Sequence, residues 1–182
     1  MQLFIGDNAA YISVMIHVCS LARLHATVHE TGASHIVTLL RLTDRAARPG
    51  HVAPENHLIL GVDDIATASD GQILPADEHV ARLLTFAQGW NRKAPMVVHC
   101  FAGISRSTAA AYAAACALNP ARDEMEIARA IRDASATAMP NARIVAIADR
   151  MLKRDGRMVR AVEALGRGLE APEGHPFRLD LL

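Results

Sequence analysis

From Pro95 the chain runs through a short β-branched stretch, PMVVHC, into the loop FAGIS and then into RSTAAAYAAACAL, which Asn119 and Pro120 close. The first part reads as a buried strand and the last as a helix whose small side chains suit burial rather than one wet face. A helix of that kind has to be enclosed by other elements. Three more apolar runs, ISVMIHV at 12–18, HIVTLL at 35–40 and HLILGV at 57–62, have the length and composition of buried strands.

Helical patterns separate and follow these runs. SLARLHATVHETG carries Leu21, Leu24 and Val28 and stops at Gly32, whereas TDRAARPGHVAPEN reads as a loop. PADEHVARLLTFAQG, from Pro75 to Gly89, opens on proline and acids and puts Val80, Leu83, Leu84 and Ala87 on one face. RDEMEIARAIRDA, NARIVAIADRMLKR and RMVRAVEAL follow as amphipathic helices. Strands alternating with helices early and helices alone later predict an α/β fold, a central sheet of about four or five strands with a helical C-terminal half. The length, 182 residues with 51% hydrophobic, suits one domain over 1–166. The segment 167–182, rich in glycine and proline, is expected to be an irregular tail.

The formal net charge is zero, which gives no global attraction for nucleic acid, so anion binding has to be local. The N-terminal stretch has neither a basic start nor an unbroken apolar span, and a soluble, cytoplasmic chain without a membrane partner is expected. Cys19, Cys100 and Cys116 are odd in number and far apart, which argues for reduced thiols and against a zinc site. No histidines form a metal-binding pair, and His51, His57, His79 and His175 lie in polar surroundings that suit solvated or capping roles. No metal or other cofactor is expected. Only Lys93 and Lys153 are lysines, and this arginine bias with abundant alanine points to a GC-rich bacterial genome.

The chemistry concentrates in HCFAGISRS, residues 99–107. A strand, a short loop and a helix start let the backbone N–H groups of Phe101, Ala102, Gly103, Ile104, Ser105 and Arg106 converge on one concavity, to which the helix terminus adds partial positive charge. Such a bowl fits a tetrahedral dianion. Gly103 suits the dihedrals of a tight anion loop, with Phe101, Ala102 and Ile104 packed behind it. Arg106 offers a planar fork to two phosphoryl oxygens, and Cys100 at the floor has its thiolate favoured by the same donors. The plain alternative is a buried thiol in a turn, because the spacing from Cys100 to Arg106 also arises by chance. The flanking strand, the internal glycine and the alanine helix together weigh against that alternative.

The stretch resembles the signature loop of the cysteine-dependent protein tyrosine phosphatases, and its HCxxGxSRS form is closest to the dual-specificity branch. The likeness extends from about residue 12 to 155, with only the signature specific. It implies a central sheet flanked by helices and no metal. It further implies Cys100 as a nucleophile that forms a cysteinyl-phosphate, Arg106 as the phosphoryl clamp, Ser107 as a hydrogen-bond donor to the sulfur and His99 as a support of the loop.

Monoester cleavage also needs a proton for the leaving group, which the family takes from an aspartate on a loop before the cysteine. HLILGV runs into Asp63 and Asp64. Asp64 is the first choice, Asp63 the second, and Asp70 in IATASDGQILP the third. MPNARIV is similar to the Pro-Asn that precedes a helix near the site in dual-specificity members, which implies Asn141 as a buttress, although Pro-Asn also starts helices by itself.

The loop holds no lysine between Cys100 and Arg106, unlike many phosphoinositide-directed relatives, so the expected substrate is a phosphorylated protein or a small phosphomonoester. A rhodanese-like sulfurtransferase fits the Arg106 and Ser107 pair less well. A low-molecular-weight phosphatase or arsenate reductase would carry its loop near the N-terminus. A phosphate-binding module without turnover remains as the alternative from another class.

Overall fold

The computed structural model describes residues 15–181, so residues 12–14 of the first expected strand, and Tyr11 before them, lie outside the described residues. The elements run β1 (Met15–Ser20), α1 (Leu24–Thr31), β2 (His35–Leu40), β3 (His57–Gly61), α2 (Asp77–Gly89), β4 (Met96–Cys100), α3 (Arg106–Leu118), α4 (Glu124–Ala134), α5 (Ala142–Met151), α6 (Arg157–Leu165) and β5 (Phe177–Asp180). The strands form one sheet in the order β3-β2-β4-β1-β5. Strands β1 to β4 are parallel, and β5 joins β1 antiparallel.

Strand alternation divides the core between the two faces of this sheet. Ile36, Val97 and Cys19 turn to one face, where Leu24 and Val28 of α1 cover them together with Val52 from the long loop. Val37, Leu39, Val98 and Cys100 turn to the other face, against the helices from α2 to α6. Cys19 and Cys100 therefore belong to opposite layers although their strands are neighbours.

Helix α3 lies at the centre of the second layer, packed on the sheet and against α2, α4 and α5. Ala109, Ala110, Ala111, Ala113, Ala114 and Ala115 are fully buried, and Tyr112 is the largest side chain buried with them. The Tyr112 hydroxyl donates to the Glu124 carbonyl at 3.0 Å. Small side chains let the surrounding helices approach closely, so the alanine run pays for its low burial per residue with dense packing.

The C-terminal segment carries no helix or strand over 167–176, as expected of an irregular tail, but its end differs. Phe177, Leu179 and Leu181 are buried while Arg178 and Asp180 face outward, and the strand extends the sheet at β1. This alternation was present in FRLDL, but the Gly- and Pro-rich approach obscured it. Arg132 holds that approach, donating to the carbonyls of Ala138, Leu165, Gly166 and Arg167. Leu179→Ala is expected to cost about 2–5 kcal/mol of stability in urea unfolding. A change within about 0.5 kcal/mol, as an irregular tail would give, would contradict the buried strand.

Candidate active site

Strand β4 ends at Cys100, and the chain turns through residues 101–105 before α3 begins at Arg106. The outer side of this turn is held by carbonyls. Those of Phe101, Ala102, Ile104 and Ser105 accept backbone N–H groups from Leu21, Gly174, Met139 and Asn141, at 3.1, 2.8, 3.0 and 3.3 Å. In a trans peptide the N–H of the next residue points opposite to the carbonyl. The N–H groups of Ala102, Gly103, Ser105 and Arg106 are thereby turned inward, and that of Gly103 donates to Cys100 Sγ at 3.3 Å.

Gly103 makes this geometry possible. Its φ is +74°, and a Cβ there would lie 2.8 Å from the backbone of Cys19 and Ser20. Phe101 departs from the expected packing behind the loop: it is 61% exposed and lines the cavity mouth instead. Its carbonyl is tied down by the Leu21 N–H.

The bowl opens into a cavity of about 400 Å³ lined by Cys100, Arg106, Asp64, Arg41 and Met139 among others. Cys100 is buried at its floor, with Ser107 Oγ 3.1 Å from the sulfur. Arg106 is also buried, and its Nη1 donates to the Val62 carbonyl at 2.8 Å. Its Nε has no hydrogen-bond partner and lies 4.0 Å from Asp64 Oδ2. A buried guanidinium donor left open beside a cavity is ready for an anion.

Of the three aspartates, Asp64 alone lines the cavity. Its Oδ1 accepts from Ser105 Oγ at 2.7 Å and from Asn141 Nδ2 at 2.9 Å, which leaves Oδ2 toward Arg106. Asp63 is tied elsewhere, to Arg41 Nε at 2.9 Å and to the Ile73 backbone N–H at 2.7 Å, and Asp70 is exposed in the turn beyond. Asn141 combines both roles open to it. Its Oδ1 accepts from the N–H groups of Arg143 and Ile144 at the start of α5, while its amide nitrogen reaches Asp64.

Beneath the loop, His99 Nε2 is 2.6 Å from Thr38 Oγ1, which in turn is 2.8 Å from His57 Nε2. His57 is thus half-buried and bonded, not solvated, whereas His79 accepts the Ala76 N–H at the start of α2 as a cap. Burial, with His57 nearby, pushes His99 down to about 4, so it stays neutral. Burial raises Cys19 to about 11 and Cys116 to about 12, which leaves both as inert thiols. Thr38 and the Ser105 hydroxyl carried no signal in the sequence, because their partners come from distant strands and loops.

The protein-tyrosine phosphatase family model matches residues 69–144. No curated protein matches the sequence. Among solved structures, DUSP15 is similar at 17% identity and a TM-score of 0.58, over 82% of this chain and 90% of its own. Human DUSP28 has 17% identity and a TM-score of 0.58, over 76% and 88%. The Cydia pomonella PTP-2 phosphatase has the same identity and score, over 76% and 86%. At these identities the likeness is one of fold.

Two outcomes are expected. Gly103→Ala forces a side chain onto the β1 backbone and should weaken vanadate binding at least tenfold with the sheet intact by circular dichroism; undiminished binding would refute the close seat. His99, whose ordinary value is 6.5, is neutral in both states above that pH, and the unfolded chain gains protons first as pH falls toward 4. Stability should therefore drop by up to roughly 3 kcal/mol over that window, and His99→Gln should flatten the slope of unfolding free energy against pH.

Proposed function

We infer that this chain is a member of the protein tyrosine phosphatase superfamily and hydrolyses phosphate monoesters through a cysteinyl-phosphate on Cys100. The observation that carries the reading is the inward set of loop N–H groups above the Cys100 sulfur, with the open Arg106 Nε facing Asp64 across the same cavity. A phosphoryl group in the bowl puts its three equatorial oxygens against the loop donors and the guanidinium. Its phosphorus then faces the sulfur for in-line attack.

In the first step the Cys100 thiolate forms the S–P bond as the P–O bond breaks, and the acid form of Asp64 gives its proton to the departing oxygen. In the second step Asp64, now a carboxylate, takes a proton from water as the water oxygen attacks phosphorus. The S–P electron pair returns to Cys100, where the Ser107 hydroxyl can donate to the restored thiolate. Ser105 and Asn141, both bonded to one carboxylate oxygen, support Asp64 in presenting the other.

Phosphorylated protein is the proposed substrate class within the tyrosine and dual-specificity range, with a small phosphomonoester as the alternative. Nucleophile, clamp and carboxylate together favour turnover over a phosphate-binding module. A cytoplasmic setting suits a mechanism that needs a free thiolate, since all three cysteines are unpaired, and the arginine-biased composition suits a bacterial source.

Hydrolysis of para-nitrophenyl phosphate, insensitive to chelators and blocked by vanadate, tests the reading. Cys100→Ser should abolish turnover; full activity in that variant would remove the mechanism. Asp64→Ala should lower kcat about 10²-fold, more for alkyl than for aryl leaving groups. A loss confined to Asp63→Ala or Asp70→Ala would move the acid to that residue.

A further inference from the structure

A second cavity, of about 350 Å³, adjoins the first and is lined by Leu21, Ala22, Phe101, Ala102, Pro172 and Glu173. Phe101 and Ala102 line both cavities, so one ligand can occupy the two together. The segment after α6 supplies the far wall and is fixed to the site. Gly174 donates its N–H to the Ala102 carbonyl at 2.8 Å, and Leu169 donates to Ala136 at 2.9 Å. A Cβ on Gly174 would come within 3.1 Å of the Gly103 carbonyl oxygen, so this wall lies directly against the signature loop.

Glu173 gives the cavity its charge. Ser20 Oγ donates to Glu173 Oε1 at 2.5 Å, and Ser20 stands opposite Cys100 in the β1 and β4 register. The carboxylate is thereby held one strand from the nucleophile, and it forms no ion pair among the described residues. Leu21, Ala22 and Pro172 offer apolar surface around it, and the exposed Phe101 ring separates it from the phosphate bowl.

We propose that this cavity is a substrate subsite that receives a lysine or arginine side chain within two residues of the phosphorylated residue of a protein substrate. The proposal rests on the phosphatase reading of the adjoining cavity. A basic side chain meets both parts of the site, because its aliphatic stem lies on the apolar walls while its head reaches Glu173 and the ring face of Phe101. A carboxylate in the same place meets Glu173 as a like charge, and a short apolar side chain leaves Glu173 unused.

Matched phosphopeptides with arginine, alanine or glutamate beside the phosphorylated residue test this, read as kcat/KM next to para-nitrophenyl phosphate. The arginine peptide should exceed the alanine peptide about threefold to fivefold, the range of a partly exposed ion pair. Glu173→Gln should abolish that advantage, and Glu173→Arg should transfer it to the glutamate peptide, both with unchanged para-nitrophenyl phosphate turnover. Equal rates for the three peptides, or a preference that survives both substitutions, would overturn the subsite. Anisotropy of the same peptides on Cys100→Ser reads the preference without turnover. If the wild type fails on para-nitrophenyl phosphate, the phosphatase reading falls, and the subsite is then judged on binding alone, by the same ratios.

Discussion

The close seat of Gly103 on the backbone of Cys19 and Ser20 is the contact on which the bowl of the 101–106 loop depends. A loop that crosses a strand end at that distance has no room for a side chain, and only a residue without one tolerates φ +74° cheaply. Once seated, the loop can satisfy its carbonyls outward, on Leu21, Met139, Asn141 and Gly174. Those four partners come from the end of β1, from the two sides of the approach to α5 and from the C-terminal segment. The inward face is left with donors only, which is the electrostatic form an anion requires. Much of the fold thus converges on one peptide geometry.

How far this was legible in the sequence follows the range of the interactions involved. Strands β2 to β4 and helices α2 to α6 announce themselves through local periodicity, and the signature residues sit within nine positions of one another. Asp64 could be singled out because β3 ends just before it, but its separation from Asp63 is a matter of tertiary partners. Arg41 and Ile73 claim one carboxylate, while Ser105 and Asn141 claim the next. No local pattern records such a division. The Phe177–Asp180 strand shows the opposite failure, a local pattern that was short and preceded by residues that usually mark disorder. His57 and Thr38 were illegible because their bonds cross from strand to strand in the sheet.

His99 illustrates how burial selects one kind of support over another. A cationic imidazole under the loop would favour the thiolate by charge, but burial keeps His99 neutral, and it contributes through a hydrogen bond to Thr38. The fixed chain of His57, Thr38 and His99 orients the ring without adding a titrating charge beneath Cys100. The positive groups around the cavity are then the loop N–H groups, the start of α3 and the Arg106 guanidinium, whose orientations are set before any ligand arrives.

Arg106 joins the two halves of the site. Its Nη1 is committed to the Val62 carbonyl, at the end of the strand that delivers Asp64 two residues later. The Arg106 guanidinium and the Asp64 carboxylate opposite it therefore share one mechanical link, reinforced by Ser105 from the loop and Asn141 just before α5. Displacement of the Asp64 segment would free a buried guanidinium N–H as well as break the two bonds to the carboxylate, a cost that keeps loop and acid in register. On this geometry the loop bowl and the Asp64 carboxylate form a single preorganised unit.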